Sequence, residues 1–304
     1  MSLFKYKGII PALYACYDEE GEVDSVRIQK LVRYYMTQGV RGLYVNGSSG
    51  ECIYQNVADR KKILEAVMEV ASGSLTIINH VACNNTRDSV ELAKHSEKLG
   101  VDAIAAIPPI YFKLSEEAIA DYWNTISKAA PNTDFILYNI PQLAGVALTE
   151  KLYKKMLDNP CVIGVKNSSL SVQDIQLFSQ IGGDERIVFN GPDEQYIAGR
   201  VMGAEAGIGG TYGVMPALFV KLEEFIQNNQ LIKARDLQKK LNQVIALLTS
   251  GRSHLYALAK EVLSRKEGLA LGSVRAPLPA FQKGDEKLVT QIIALLLEIE
   301  ATLL

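Results

Sequence analysis

Histidine is scarce in this chain of 304 residues: there are three, His80, His95 and His254. They stand far apart and make no HxxH or HExxH spacing, so a zinc site built on histidine is not expected. The four cysteines, Cys16, Cys52, Cys83 and Cys161, share no CxxC spacing. A chain of this size does not need disulfide staples, and buried thiols are the simplest reading. No run of eighteen apolar residues occurs, so no membrane span is indicated. The first residues, Met1-Ser2-Leu3-Phe4-Lys5-Tyr6-Lys7, lack the apolar stretch of a signal peptide, and a cytoplasmic location is expected. Neither charge dominates: 32 basic and 34 acidic residues give a net −2. No basic stripe interleaved with aromatics appears, so nucleic acid is not an expected partner.

What is present is a rhythm. Hydrophobic residues make up 48%, arranged as short apolar runs alternating with longer amphipathic stretches. The runs are Gly8–Tyr14, Gly42–Val45, Leu75–His80, Ala103–Ile107, Phe135–Tyr138, Val162–Lys166, Arg186–Phe189 and Ala206–Ile208. Each precedes a helical pattern; Asp24 stands where the first helix would be capped and Gly39 where it would stop, and Ser115-Glu116-Glu117-Ala118 opens another with acidic residues. Strand–helix alternation repeated this often predicts a TIM (β/α)8 barrel. A doubly wound open sheet is the alternative, but the glycine-rich dinucleotide fingerprint is missing after the first run. Beyond Leu231 the pattern is purely helical. The expected organisation is therefore a barrel domain over 1–230 and a helical extension over 231–304, packed on the barrel.

In such a barrel the C-terminal strand ends build the site. Val162-Ile163-Gly164-Val165-Lys166 ends in an amine. A lysine moved from solvent into a pocket becomes a candidate nucleophile, because burial disfavours its charged form. After the second strand, Gly47-Ser48-Ser49-Gly50-Glu51 can converge hydroxyl and backbone N–H groups on a carboxylate. After the fifth comes Tyr138-Asn139-Ile140-Pro141, whose tyrosine can pass a proton. After the seventh comes Gly191-Pro192-Asp193-Glu194, whose acids either cap the next helix or bind substrate hydroxyls.

GSSGE, YNIP, GVK and GPDE, in this order and at these separations, resemble the N-acetylneuraminate lyase and dihydrodipicolinate synthase family, over the whole chain. The resemblance implies class I aldolase chemistry, with Lys166 forming an imine with pyruvate and no metal or other cofactor. It implies that Ser48 and Ser49 hold the pyruvyl carboxylate and that Tyr138 relays a proton to or from the hydroxyl that becomes an aldehyde. Leu143 falls where the synthases carry a carboxylate-binding arginine, which disfavours synthase activity. The strings look like the sialic acid lyase subgroup instead. That implies reversible cleavage of N-acetylneuraminate to N-acetylmannosamine and pyruvate, with Asp193 and Glu194 on the polyol tail and Ser168 and Gly191 contacting the sugar. Another pyruvate-dependent aldolase or dehydratase acting on a different 2-keto-3-deoxy sugar acid is the nearest alternative; a non-catalytic sugar-acid-binding protein is a further one. Gly210 stands where some members have a serine, and Thr211 is a candidate to compensate. Tyr111 matches a tyrosine that in the synthases crosses from a neighbouring subunit. The family resemblance implies a homo-oligomer, commonly a tetramer.

Overall fold

The structure is a computed structural model that describes residues 3–303; Met1, Ser2 and Leu304, at the ends of the first and last stretches read above, lie outside it. Eight strands form one parallel sheet: β1 (Ile9–Pro11), β2 (Gly42–Val45), β3 (Thr76–His80), β4 (Ala103–Ala106), β5 (Asp134–Asn139), β6 (Val162–Asn167), β7 (Ile187–Asn190) and β8 (Ala206–Gly209). β1 pairs with β8, and a bridge between Ala12 and Tyr44 joins the β1 and β2 ends. The sheet therefore closes, and the expected barrel is the observed fold. Its strands are buried on both faces, which is why they read as continuous apolar runs.

The helices α1 (Ser25–Thr37), α2 (Val57–Ala71), α3 (Thr86–Leu99) and α4 (Glu116–Lys128) follow the first four strands. A short α5 (Pro141–Ala144), not anticipated, precedes α6 (Glu150–Met156); α7 (Val172–Gly182), α8 (Tyr196–Val201) and α9 (Pro216–Gln227) complete the ring. Asp24 caps α1 as its position predicts, and Ser115 and Thr149 cap α4 and α6, each accepting from backbone N–H groups of the first turn. The stretch expected to be helical from Asp193 behaves differently. Asp193–Gln195 is a 3-10 turn, α8 begins at Tyr196, and the Asp193 side chain caps neither.

Two apolar layers follow from strand alternation. Ile10, Tyr44, Ile78, Ile136, Tyr138, Phe189 and Ile208 fill the barrel interior. The outward residues pack under the helices, in a layer that runs on into the extension. The extension comprises α10 (Leu231–Ser250), α11 (Leu255–Glu267) and α12 (Glu286–Ala301). α10 packs against α8 and α9, and α12 against α10 and α11; Leu237, Leu241, Val244 and Leu248 seal the first of these contacts.

One polar contact pins the extension to the barrel mouth. Lys260 on α11 donates to Glu51 Oε1 at 2.8 Å, with side chains 2% and 0% exposed. Glu51 Oε2 accepts from Arg275 N at 2.7 Å and Tyr17 OH at 3.2 Å, and Lys260 Nζ donates to Ser273 O at 2.7 Å. Removing one member of such a pair leaves a charge buried and uncompensated. Lys260→Met should lower stability by about 3–5 kcal/mol in urea unfolding, and adding Glu51→Gln should restore more than half of the loss. Equal stability of the single and double variants would show that the pair is dispensable.

Candidate active site

Strand alternation decides which side chains reach the barrel mouth. In register, Tyr138 on β5 stands beside Lys166 on β6, and Lys166 beside Phe189 on β7; all three point inward. The next residues point outward and lock the strand ends. Asn139 Nδ2 donates to Asn167 Oδ1 at 2.7 Å, Asn167 Nδ2 to Ser169 Oγ at 3.1 Å, and Leu148 N to Asn139 Oδ1 at 2.9 Å. Lys166 is 4% exposed. Its Nζ lies 3.9 Å from the Tyr138 ring centroid and 4.1 Å from that of Tyr44. Among the described residues no carboxylate pairs with it.

The loop after β2 is shaped by two left-handed residues, Asn46 (φ 57°) and Glu51 (φ 59°). Asparagine tolerates that conformation, and Asn46 is further held by donating to Arg60 O and Asn79 Oδ1, both at 2.9 Å. Glu51 is held there by Lys260. Between them Ser48–Gly50 makes a single 3-10 turn, whose first N–H groups have no partner within the turn. Ser49 is buried and Ser48 half-buried. Ser49 Oγ donates to Tyr256 OH at 3.2 Å. Gly210 faces this loop: its carbonyl accepts from Tyr14 OH at 2.6 Å, and a Cβ at Gly210 would stand 2.9 Å from Ser49 Oγ.

The two acids expected to act together are unlike. Glu194 is exposed, whereas Asp193 is buried. Asp193 Oδ2 accepts from the Thr211 N–H at 2.6 Å and the Thr211 hydroxyl at 2.5 Å; Oδ1 is buried with no partner among the described residues. Burial pushes the Asp193 carboxyl up to about 7; the Thr211 bonds oppose this, the charge of Glu194 adds to it, and Lys166 works against it. Thr211 is thus engaged in holding Asp193, its hydroxyl proton committed to that carboxylate. Gly191 approaches Ser168 so closely that a Cβ would lie 2.0 Å from Ser168 Oγ.

Lys166, Tyr138, Ser49, Gly210, Asp193 and Thr211 therefore meet at the C-terminal mouth, with Ser48, Ser168, Gly191 and Glu194 on the adjoining loops. Tyr111 is apart: it is 89% exposed, adopts φ 87°, and its ring packs on Phe112 at 5.0 Å. Leu143 is also exposed. Four contributors escaped the sequence reading. Tyr44 faces Lys166, and an amphipathic aromatic one residue before the end of β2 was the available signal. Tyr256, Gln238 and Asn242 come from the extension, where nothing in the local pattern marks them. Gln238 Nε2 donates to Asp193 O and Asn242 Nδ2 to Glu194 O, both at 3.1 Å. At the opposite mouth, a cavity of about 570 Å³ is lined by Leu3, Lys7, Asp134, Ile163 and Arg186 among others. Its Lys7 is paired with Glu205 and its Asp134 with Tyr6.

A buried amine with a tyrosine ring beside it thus stands at the C-terminal end of a (β/α)8 barrel. The dihydrodipicolinate synthetase family matches residues 5–295, and the chain belongs to that family. It is 60% identical to the N-acetylneuraminate lyase of Mediterraneibacter gnavus over 95% of this chain and 92% of that protein. The wild-type sialic acid aldolase of Ruminococcus gnavus superposes with a TM-score of 0.98 at 58% identity, over 99% of this chain and 100% of that one. A Clostridium difficile protein, CdNal, solved in complex with mannosamine, gives a TM-score of 0.91 at 28% identity, over 97% and 99% of the two chains.

The raised Asp193 carboxyl has a stability consequence. Its ordinary value is 3.8. Between about pH 4 and pH 7 the folded chain holds a proton there that the unfolded chain has released, so this group's contribution declines as pH rises through that window. Asp193→Asn should therefore gain on the unaltered protein between pH 5 and pH 8 in urea midpoints. A pH-independent difference would show that Asp193 is ionised throughout.

Proposed function

We propose that this protein reversibly cleaves N-acetylneuraminate to N-acetylmannosamine and pyruvate, through an imine formed at Lys166. The observation that carries the reading is the seat of Lys166: buried at a strand end, free of a carboxylate partner, with Nζ against the Tyr138 ring. The identity to a sialic acid lyase along nearly the whole chain supplies the substrate class.

In this reading the neutral Lys166 amine attacks the C2 carbonyl of the open-chain sugar acid, and loss of water with uptake of one proton gives a protonated imine; that proton is released again when the imine is hydrolysed. Tyr138 relays the proton of the C4 hydroxyl as the C3–C4 bond breaks, accepting it while passing its own phenolic proton to the substrate carboxylate, from which it is available for C3. The bonding pair flows toward the iminium nitrogen, leaving an enamine and releasing the aldehyde. Protonation at C3 and hydrolysis return pyruvate and the free amine. The imine is the electron sink, so the sequence of steps calls for no metal or organic cofactor. Ser48 and Ser49 hold the carboxylate through hydroxyl and N–H donors. Asp193 and Glu194 accept from the tail hydroxyls, and Ser168 and Gly191 line the sugar's path. Among the described residues no helix is long and apolar enough to cross a membrane. A cytoplasmic homo-oligomer, a tetramer, is part of the same proposal. The exposed Tyr111–Phe112 pair is an apolar surface suited to a neighbouring subunit.

A second reading, a lyase for another 2-keto-3-deoxy sugar acid, is favoured by one feature. The mouth offers no hydroxyl at Gly210, and the Thr211 hydroxyl is engaged with Asp193.

Incubation with pyruvate followed by borohydride should label Lys166, as mapped by peptide mass spectrometry; a label elsewhere, or none, would overturn the imine assignment. Lys166→Met should abolish turnover while retaining part of the substrate binding. Tyr138→Phe should lower kcat by about 10²–10⁴-fold. Pyruvate release from a panel of 2-keto-3-deoxy sugar acids tests the substrate: no preference for N-acetylneuraminate would move the assignment to the second reading.

A further inference from the structure

We propose that Tyr44 is the second wall of the imine-forming pocket, its ring face seating the Lys166 nitrogen in place of a counter-ion. The inference rests on Lys166 being the imine-forming residue. Nζ lies 4.1 Å from the Tyr44 centroid and 3.9 Å from the Tyr138 centroid. The two rings meet edge to face, 5.9 Å apart at 84°, so the amine is held in the corner they form. His80 packs against both, 6.2 Å from Tyr44 and 6.0 Å from Tyr138. Its Nδ1 lies 3.0 Å from Asn46 O, while Ile107 N donates to Nε2 at 3.4 Å. That arrangement defines a neutral imidazole protonated on Nδ1, a ring that props the corner without adding charge.

The sequence makes room for this ring. A Cβ at Gly47 would stand 2.6 Å from Tyr44 Cε1, so the first residue of the serine loop must be glycine if Tyr44 is to keep its place. Tyr44 is fully buried, and its hydroxyl has no partner among the described residues; the face makes the contact with the amine. The charge logic favours a ring over an acid. A carboxylate against a buried amine would hold it as ammonium and remove the nucleophile. A ring face attracts a cation more weakly, so it positions the nitrogen and still lets the proton leave. Once the imine has formed, its cationic nitrogen occupies the same corner. The other ionisable groups around Lys166 are Arg60 on α2, Cys52 after β2, His80 on β3, and Asp193 and Glu194 after β7. None of them pairs with it.

Tyr44 is a positioning residue in this account, and the pH dependence of imine trapping reads its effect. Lys166 labelling by pyruvate and cyanoborohydride would be followed from pH 5.5 to 9 in the unaltered protein, Tyr44→Phe and Tyr44→Leu. Tyr44→Phe keeps the face and should retain the midpoint. Tyr44→Leu removes it and should lower the midpoint by about half to one pH unit, because the ammonium loses a favourable contact. Mono-, di- and trifluorinated phenylalanines at position 44 weaken the face while conserving its shape. They should lower the midpoint stepwise, which keeps the test decisive even where the leucine variant does not fold. A midpoint unmoved across the fluorinated series would overturn the role of Tyr44 while leaving the imine in place. Absence of label at Lys166 in the unaltered protein would overturn the imine reading and this inference with it.

Discussion

The barrel mouth leans on two charges that cannot exist apart. Glu51 and Lys260 are both removed from water and separated by 2.8 Å. Either alone would carry a desolvation cost of several kcal/mol. Together, with Tyr17, Arg275 N and Ser273 O completing their hydrogen bonds, they form a closed polar unit. Its consequence is geometric. Glu51 adopts a left-handed conformation that a glutamate does not favour on its own, and the ion pair holds it there. That turn determines where the Ser48 and Ser49 donors point. Tyr256 stands four residues before Lys260, on the same face of α11: its hydroxyl accepts from Ser49 Oγ, and Lys260 donates to Glu51. So α11 takes hold of the serine loop at both Ser49 and Glu51. α10 repeats the device: Gln238 and Asn242, also four apart, grip the carbonyls of Asp193 and Glu194. The extension shapes both the carboxylate end and the tail end of the pocket.

Against that closed unit, the reactive groups stand out by what they lack. Glu51 has a cation, a hydroxyl and an N–H. Lys166 has two ring faces and no anion. Asp193 has one oxygen fully engaged by Thr211 and the other bare. Buried polar groups that are fully satisfied rigidify a fold; those left partly satisfied are available to a ligand. Glu51, Lys166 and Asp193 share burial and differ in the number of partners each retains, which is what the proposed roles of Lys166 and Asp193 draw on.

Much of this was legible from the residues. Strand and helix positions followed from apolar runs, and the cap at Asp24 from chemistry that is local, its side chain reaching its own helix. Lys166 and Tyr138 could be placed because strand ends in a barrel face one mouth. What was not legible has one cause. The sequence left Asp193 open between a cap and an acceptor for substrate hydroxyls, because its partner Thr211 lies 18 positions away. Tyr256 and Lys260 meet residues 207 and 209 positions distant, and no periodic pattern encodes such a meeting. Tyr44 belongs to an apolar run in which its hydroxyl gave no sign, because the useful part of the residue is its face.

On the proposed function, the groups available to the sugar's tail are Asp193 Oδ1, which accepts above the carboxyl's raised value of about 7 and donates below it, and the exposed Glu194 carboxylate. Gly210 brings no hydroxyl, and the Thr211 hydroxyl already donates to Asp193. A pocket end made of acceptors selects ligands that present several hydroxyl donors and rejects a second carboxylate by repulsion. A polyol tail meets that condition, whereas an acidic aldehyde partner of the synthase type does not. Leu143, exposed beside β5, brings no cation that would pair with such an acid. The carbonyls of Asp193 and Glu194 are clamped by α10, so these acceptors are held in position before a ligand arrives. Ordering that precedes binding lowers the entropy lost on association. On the proposed function, the choice between one sugar acid and another turns on whether the tail's hydroxyls fall in register with Oδ1 and the Glu194 carboxylate, on a loop whose backbone α10 holds.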